Sequence, residues 1–434
     1  MSIYRVATAN TFDRTIQNIN RRQSELAQAQ EQLSSGKRVN RASDDAVAAT
    51  LAERAQNRLA RVQADQTALD ASKSSLTLVE AGLGEANDLL TRARELVVQG
   101  GNPVLTQNSR EDLARQLEGL REQMLAVANR TDTAGMTLFG GLGGVAKPFI
   151  DTYGPFTGVQ YQGQVGQYAA TESGLPQAVD GNAVWMRVPP GNGNFTVELD
   201  SNNQGLVRTD SGVVVDASQA TGLDTANSYD GYRITFGGTR EAPTFEIVRE
   251  LLIPPGTEQV PGYFGPQPYE PGKTIEFDGI QLVLSGNPMG QGDPTQPQLP
   301  SDPVPPDFIR VLPVTQPTDM FATMQRAIDA LRYTGPNQSA NITQELDRVL
   351  VEMDNGNDRI LDTRGRVGEW LNRADSMGEV FADKALFHEK EKSDNEDLDM
   401  VKGISDFQNL QLGLQAALQS YGQVQKLSLF QYIA

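Results

Sequence analysis

The sequence predicts an α+β protein: an elongated antiparallel helical bundle or coiled coil formed by both chain ends, with an inserted β-rich outer domain. Three observations carry this reading. Apolar residues recur seven apart at Val62, Leu69, Leu76, Leu83, Leu90 and Val97, with Leu59, Val79, Ala86 and Ala93 between them, a stripe suited to facing other helices. A second set of stripes runs through the last quarter of the chain. Finally, 21 of the 23 prolines lie between Pro148 and Pro317 and none in 1–102 or 337–434, which leaves the outer parts open to long helices and closes the middle to them.

The first helix is expected from about residue 9 to 33, striped by Phe12, Ile16, Ile19, Leu26 and Leu33, with Gly36 as its stop. Ser43, Asp44 and Asp45 suit the start of a second, which would be roughly 80 Å long if it reaches Val97 unbroken. After Gly100, Gly101 and Pro103, a capping box at Ser109 and Asp112 is expected to open a third helix, with Leu113, Leu117 and Leu120 facing inward. From Gly135 to about Thr318 the period changes to two. Val184, Met186 and Val188 read as a strand, as do Phe195, Val197 and Leu199, and Tyr232, Ile234 and Phe236. Asp278-Gly279 between Ile275 and Ile280 signals a tight hairpin. Nine prolines between 288 and 317 read as an extended connector. Helices resume at 318–333 and from 338, with Leu346, Val349, Met353, Ile360 and Val367 in register. The acidic stretch Asp394 to Asp399 precedes a last helix striped by Phe407, Leu410, Leu414, Tyr421 and Val424, then Leu427 and Phe430. The expected divisions are 1–44 (inner helix and turn), 45–139 (rod), 140–317 (β-rich outer domain with its connector), 318–392 (rod) and 393–434 (inner helix).

With 55 acidic and 37 basic residues the net charge is −18, which opposes binding to nucleic acid or an anionic membrane. There is no cysteine, so disulfides and thiolate chemistry are excluded. The start of the chain has no apolar core of signal-peptide length and no window approaches a membrane span, so any export is expected to use a route without a cleaved signal.

The chemistry of an enzyme finds no foothold. The one histidine, His388, stands in a charged helical run and reads as a surface residue. Gly141 to Ala146 spells a dinucleotide-binding pattern but follows a helix, so it reads as a flexible exit from the helical domain. Gly272, Lys273 and Thr274 lack the earlier glycine of a phosphate loop. Asp151, Glu198, Asp200, Glu246, Glu270 and Asp278 read as ordinary strand and loop charges. No catalytic, cofactor or metal residue is assigned.

The apolar stripes divide in two. Val62, Leu69, Leu76, Leu83, Leu90, Val97, Leu113, Leu117, Leu120, Leu346, Val349, Met353, Ile360 and Val367 are expected to be rod core. Phe12, Ile16, Ile19, Leu26, Leu33, Phe407, Leu410, Leu414, Tyr421, Val424, Leu427 and Phe430 lie in glutamine-rich ends short of charge, and are expected to order against neighbouring subunits.

Four segments carry a family resemblance. EQLSSGKRVNRASDDAVAAT at 31–50 resembles the N-terminal segment of the flagellin-like superfamily. EDLDMVKGISDFQNLQLGLQAALQSYGQVQKLSLFQYIA at 396–434 is similar to the C-terminus of its hook-filament junction branch, the FlgL family, whose terminal Ser-Leu-Phe corresponds to Ser428, Leu429 and Phe430. GNDRILDTRGRVGEWLNRAD at 356–375 and IEFDGIQLVLSGNPMGQGDP at 275–294 agree with that branch. Ala42 and Ala46 stand where the family often has proline, and residues 145–270 match no motif. The resemblance implies a non-enzymatic adaptor of the bacterial flagellum. It would be exported through the flagellar type III route and be extracellular, assembling with copies of itself between a hook-associated protein of the FlgK type and flagellin. A FlgN-type chaperone would grip the last helix before export. Flagellin itself is the alternative reading, followed by a scaffolding coiled coil and by an adhesin or glycan-active protein.

Overall fold

The computed structural model describes residues 3–152, 158–169, 174–239, 241–252, 255–263, 265–289 and 306–433; the side chains of residues 3–12, 168, 169, 227 and 424–433 lie outside that description. The chain forms two compact units, Met1–Leu69 with Asp375–Ala434, and Asp70–Ala374.

The helices follow the proline map. They are α1 (Ile3–Ser35), α2 (Ala46–Gly100), α3 (Gln107–Ala128), the short α4 (Gly181–Trp185), α5 (Met320–Arg332), α6 (Gln338–Glu396) and α7 (Met400–Ile433). α2 is unbroken over 55 residues, about 80 Å at 1.5 Å per residue. Asp45 caps its start, accepting from the N–H groups of Val47 and Ala48 at 3.1 and 3.0 Å. Helix α3 starts earlier than Ser109 and Asp112 suggested. Its cap is the extended Thr106, whose hydroxyl accepts from the Ser109 N–H at 3.2 Å, while Asp112 instead pairs with Arg115 one turn on.

In the unit Asp70–Ala374, the α2 stripe from Leu76 to Val97 meets Leu113, Leu117 and Met124 of α3, Phe321 and Met324 of α5, and Leu346 to Val367 of α6 in one apolar core. Leu83, Val97, Leu117, Val349, Ile360 and Val367 are fully enclosed and Leu76, Leu90, Leu113, Leu346 and Met353 are buried; Leu120 is half-buried at the edge. Val62 and Leu69, in the other unit, are also buried.

Non-helical residues complete this core. A hairpin of β1 (Phe149–Thr152) and β2 (Gly158–Tyr161), a small ladder of β3 (Tyr168–Ala169) and β4 (Pro176–Ala178), and α4 bring Phe149, Val159, Val179, Val184, Trp185 and Val188 into it. Phe139 and Trp185 meet edge to face, ring centroids 5.4 Å apart. Two expectations are corrected here. Val184, Met186 and Val188 do not form a strand: Asp180 accepts from the Asn182 N–H and starts a helical turn that buries the adjacent Val184 and Trp185 together. Gly141, expected in a flexible exit, sits at φ +67° with its N–H bonded to the Val179 carbonyl, and an added Cβ would collide with the Gln164 carbonyl.

The second core belongs to the β-rich insert, whose strands are β5 (Phe195–Leu199), β6 (Arg208–Thr209), β7 (Val213–Val214), β8 (Tyr229–Thr239), β9 (Ala242–Leu252), β10 (Pro255–Gln259), β11 (Gln267–Pro268), β12 (Thr274–Phe277), β13 (Ile280–Ser285) and β14 (Phe308–Pro313). An antiparallel sheet runs in the order β10-β9-β8-β14-β5, with β11 added to β9, and a smaller one runs β12-β13-β6, with β7 on β13. Tyr232, Ile234 and Phe236 alternate inward with Phe245, Ile247, Ile309 and Val311. Asp278 and Gly279 take φ of +46° and +68° at the hairpin tip, the positive-φ pair that matches strand twist. Of the expected connector 288–317, Phe308–Pro313 is instead an inner strand between β8 and β5. Pro306 and Pro313 bracket a run free of proline inside, so the ladder loses no interior donor. The insert leaves and rejoins the helical core at one place, where Val188 and Thr318 exchange backbone hydrogen bonds of 2.9 Å in both directions.

Candidate assembly surfaces

The first unit, Met1–Leu69 with Asp375–Ala434, holds the residues expected to mediate assembly. α1 and α7 pair with each other. They run antiparallel: Gly403 faces Leu33, and an added Cβ at Gly413 would strike the Arg22 guanidinium. Ile19 is buried, and Ile16, Leu26, Leu33, Phe407, Leu410, Leu414 and Tyr421 are half-buried. The structure therefore brings the two expected stripes onto one another within a single chain. Phe12, Val424, Leu427 and Phe430 fall in α1 and α7, but their side chains lie outside the described residues.

The turns at the bases of these helices are tied together, and the letters of 31–50 acquire individual duties. Gly36 ends α1 at φ +70°, and its carbonyl accepts from the Leu398 N–H at 2.9 Å. The Arg38 N–H donates to the Glu396 carbonyl at 2.8 Å and its guanidinium to the Asn395 carbonyl at 2.8 Å. Lys37 pairs with Glu396, and Arg41 with Glu31 at 2.9 Å. Asp44 accepts from the N–H groups of Asn40 and Arg41 at 3.1 and 2.9 Å, closing the loop into which Val39 is buried. The Ala48 N–H, followed by the Arg38 side chain 3.1 Å away, holds the Asp45 carboxyl below the usual carboxylate range. This turn converts one helix direction into the other with nearly every polar group answered.

α7 also has a second face, outside the expected stripe. Val401 is 82% exposed and Leu412 64%, and Ile404 and Leu418 are exposed as well. At 100° per residue Val401 and Leu412 lie round the helix from Phe407, Leu410 and Leu414, whereas Ile404 and Leu418 continue the stripe of those three along its exposed edge. α6 adds Val380, Leu386 and Phe387, and α2 adds Val47 and Leu51. The signal was in the letters, because α7 is apolar on more than one side. A search for the strongest stripe finds only the face that its nearest partner covers.

The polar candidates have structural occupations. Asp151 binds Arg121 at 2.6 Å, Glu198 binds Arg348 at 3.2 Å, and Glu270 binds Lys273 at 3.3 Å. Asp278 accepts from Arg249 at 2.6 Å and from the Tyr232 hydroxyl at 3.1 Å. Glu246 accepts from Gln259 at 3.3 Å, and Asp200 from the Asn202 N–H at 2.8 Å. His388 is half-buried and lies 3.2 Å from Glu391. Among the described residues no group of three or more His, Cys, Asp or Glu is placed to hold a metal, and no helix is long and apolar enough to cross a membrane.

The sequence of residues 6–143 matches the bacterial flagellin N-terminal helical region. The flagellar hook-associated protein 3 of Salmonella typhimurium is 32% identical over 162 residues, which are 36% of this chain and 49% of that protein. Flagellin of Bacillus subtilis is 31% identical over 141 residues, 32% of this chain and 45% of that protein. The chain thus spans about half the length of the curated relatives it matches. The crystal structure of the flagellar junction protein FlgL from Legionella pneumophila superimposes with a TM-score of 0.62 at 25% identity, covering 75% of this chain and 99% of that one.

Proposed function

We propose that this chain, a member of the flagellin-like family, is a structural adaptor of the bacterial flagellum, joining the hook-associated layer at the hook tip to the flagellin filament. The observation that carries the reading is the coincidence of its fold with nearly the whole of a junction protein. Two features support it physically. The chain ends pair across a tied turn, which presents one rigid helical surface. That surface carries exposed apolar residues, Val401, Ile404 and Leu412 among them. Stacked copies would cover this face, and a subunit with different head and tail surfaces builds a closed ring or a tube. Such a joint transmits torque through packed contacts and has no use for a reactive group.

On this reading the neighbours are copies of the same chain, a hook-associated protein of the FlgK type on one side and flagellin on the other. The mature protein is extracellular. The apolar faces of α7 suit capture by a FlgN-type export chaperone, a helix laid in a groove. A complementation assay tests the adaptor role. Cells lacking their own junction protein should regain attached filaments when given this chain, and should shed flagellin when given a copy truncated at residue 395. If the chain instead builds long filaments in cells lacking flagellin, it is a filament subunit and the adaptor reading fails.

A further inference from the structure

Where the β-rich insert meets α6, the contacts are polar and come from Asn337, just before the helix, and from one stripe of the helix itself. The Asn337 side-chain amide donates to the Asn203 carbonyl. Gln344, 3% exposed, accepts from the Thr209 N–H at 2.8 Å. Arg348 reaches Glu198 at 3.2 Å. Asn355 donates to the carbonyls of Pro189 and Gly191 at 2.9 and 3.0 Å. Between them Glu352, wholly enclosed, accepts from the Gly191 N–H at 3.3 Å. Positions 344, 348, 352 and 355 follow the four-four-three spacing of one helix face.

We propose that this stripe is a latch. On this reading the insert beyond the Val188–Thr318 bridge, carrying Pro189 and Gly191 with its strands, can open from α6 as one unit while both apolar cores stay closed. Three points make the step cheap and local. The two cores are separate clusters, each filled by its own side chains, so opening exposes little apolar surface. The hydrogen bonds given up are replaced by water, which is why such bonds contribute little net. And the buried charge is not orphaned: after losing Gly191, Glu352 keeps Arg348 at 3.2 Å, the Thr323 hydroxyl at 3.1 Å, and Arg326. The backbone bridge between Val188 and Thr318 remains as the hinge. Load on the insert would then be taken up at the latch before either core yields.

Native-state hydrogen exchange on the intact protein tests this. The amides of Gly191 and Thr209, which donate across the latch to Glu352 and Gln344, should share one opening rate, faster than that of Ile234 and Ile247 in the insert core and of Leu83, Met324 and Leu346 in the helical core. Replacing Asn355→Ala leaves the Pro189 and Gly191 carbonyls unmatched when closed, so exchange at Gly191 and at the more distant Thr209 should accelerate together, about ten- to a hundredfold, while the amides of both cores change less than about twofold. Should that variant not fold, Glu198→Gln, which loosens the tie to Arg348 from the insert side, gives the same two-group readout. The latch is overturned if latch and core amides exchange together, or if either variant speeds the cores as much as Gly191 and Thr209.

Discussion

The chain uses the same seven-residue repeat in two places and obtains two different interiors from it. In Asp70–Ala374 the stripe residues Leu76, Leu83 and Val97 are completely enclosed, because three other helices and a set of aromatic loop residues converge on them. In the unit made by the chain ends, Ile16, Leu26, Leu410 and Leu414 are only half-buried, because α1 and α7 have chiefly each other. A repeat specifies that a face will be covered; the number of partners decides how deeply. Full burial of a leucine contributes about 1.5–3 kcal/mol and half-burial proportionally less. The ends therefore hold stability in reserve for whatever covers them in the assembly.

The largest test of this contrast concerns the source of the deep core. If enclosure in Asp70–Ala374 depends on its loop residues, then replacing 148–317 by a short linker removes Phe149, Val159, Val179, Val184, Trp185 and Val188 from it. Large-to-small changes at single sites of this kind cost about 2–5 kcal/mol, so losing six should abolish cooperative unfolding. Replacing only 195–312 should spare it, since the backbone on either side is already joined at Val188 and Thr318, outside the replaced residues. Circular dichroism melts of the two deletions decide this. Equal melting would mean that the loop aromatics are dispensable and that helices alone make the depth.

Point substitutions sharpen the same comparison. Leu83→Ala should cost about 2–5 kcal/mol, and Leu83→Asp more, because it strands a charge among apolar neighbours. Leu414→Ala should cost the isolated protein less than about 1.5 kcal/mol, half of its side chain being in water already. Urea titrations of the purified chain measure both. If the two leucines prove equivalent, the distinction between the interiors is wrong. Filament attachment should rank them the other way relative to stability, Leu414 mattering more than its folding cost implies.

Much of this architecture was legible because it rests on local rules. The proline distribution marked where long helices were open to the chain, Asp45 announced a helix start, and Asp278-Gly279 announced a hairpin. What escaped notice depended on tertiary company. Phe308–Pro313 hides between prolines and becomes an inner strand only because β5 and β8 flank it. Val184, Met186 and Val188 spell alternation, yet Val184 and Trp185 turn into a helix that buries both side chains in a core built by distant residues. The α1 and α7 stripes, expected to pair across the chain ends, do meet each other, but how little of each the pairing covers was not in the letters. The exposed face through Val401 and Leu412 went unseen because letters show which residues are apolar, not which of them a neighbour has already covered.

The smallest expected effect lies in the tied turn, where the comparison can be followed with pH. Hydrogen bonding by the Ala48 N–H, then the Arg38 side chain, keeps the Asp45 carboxyl below the ordinary carboxylate range in the folded chain. A carboxyl whose folded value is depressed stabilises the fold above its unfolded value and loses that contribution as pH falls through the folded one. Asp45→Asn keeps a competent helix cap but removes the charge, so only the ionic part should disappear. The variant should melt slightly below the parent at neutral pH, and the gap should close on acidification below the usual carboxylate range. Because α2 begins in the chain-end unit, the loss should register in the exchange of amides at 46–60 and leave those around Leu83 unmoved. A gap that persists unchanged in strong acid would mean that Asp45 acts as a neutral cap, and that the turn draws its rigidity from the backbone bonds of Gly36, Arg38 and Leu398 alone.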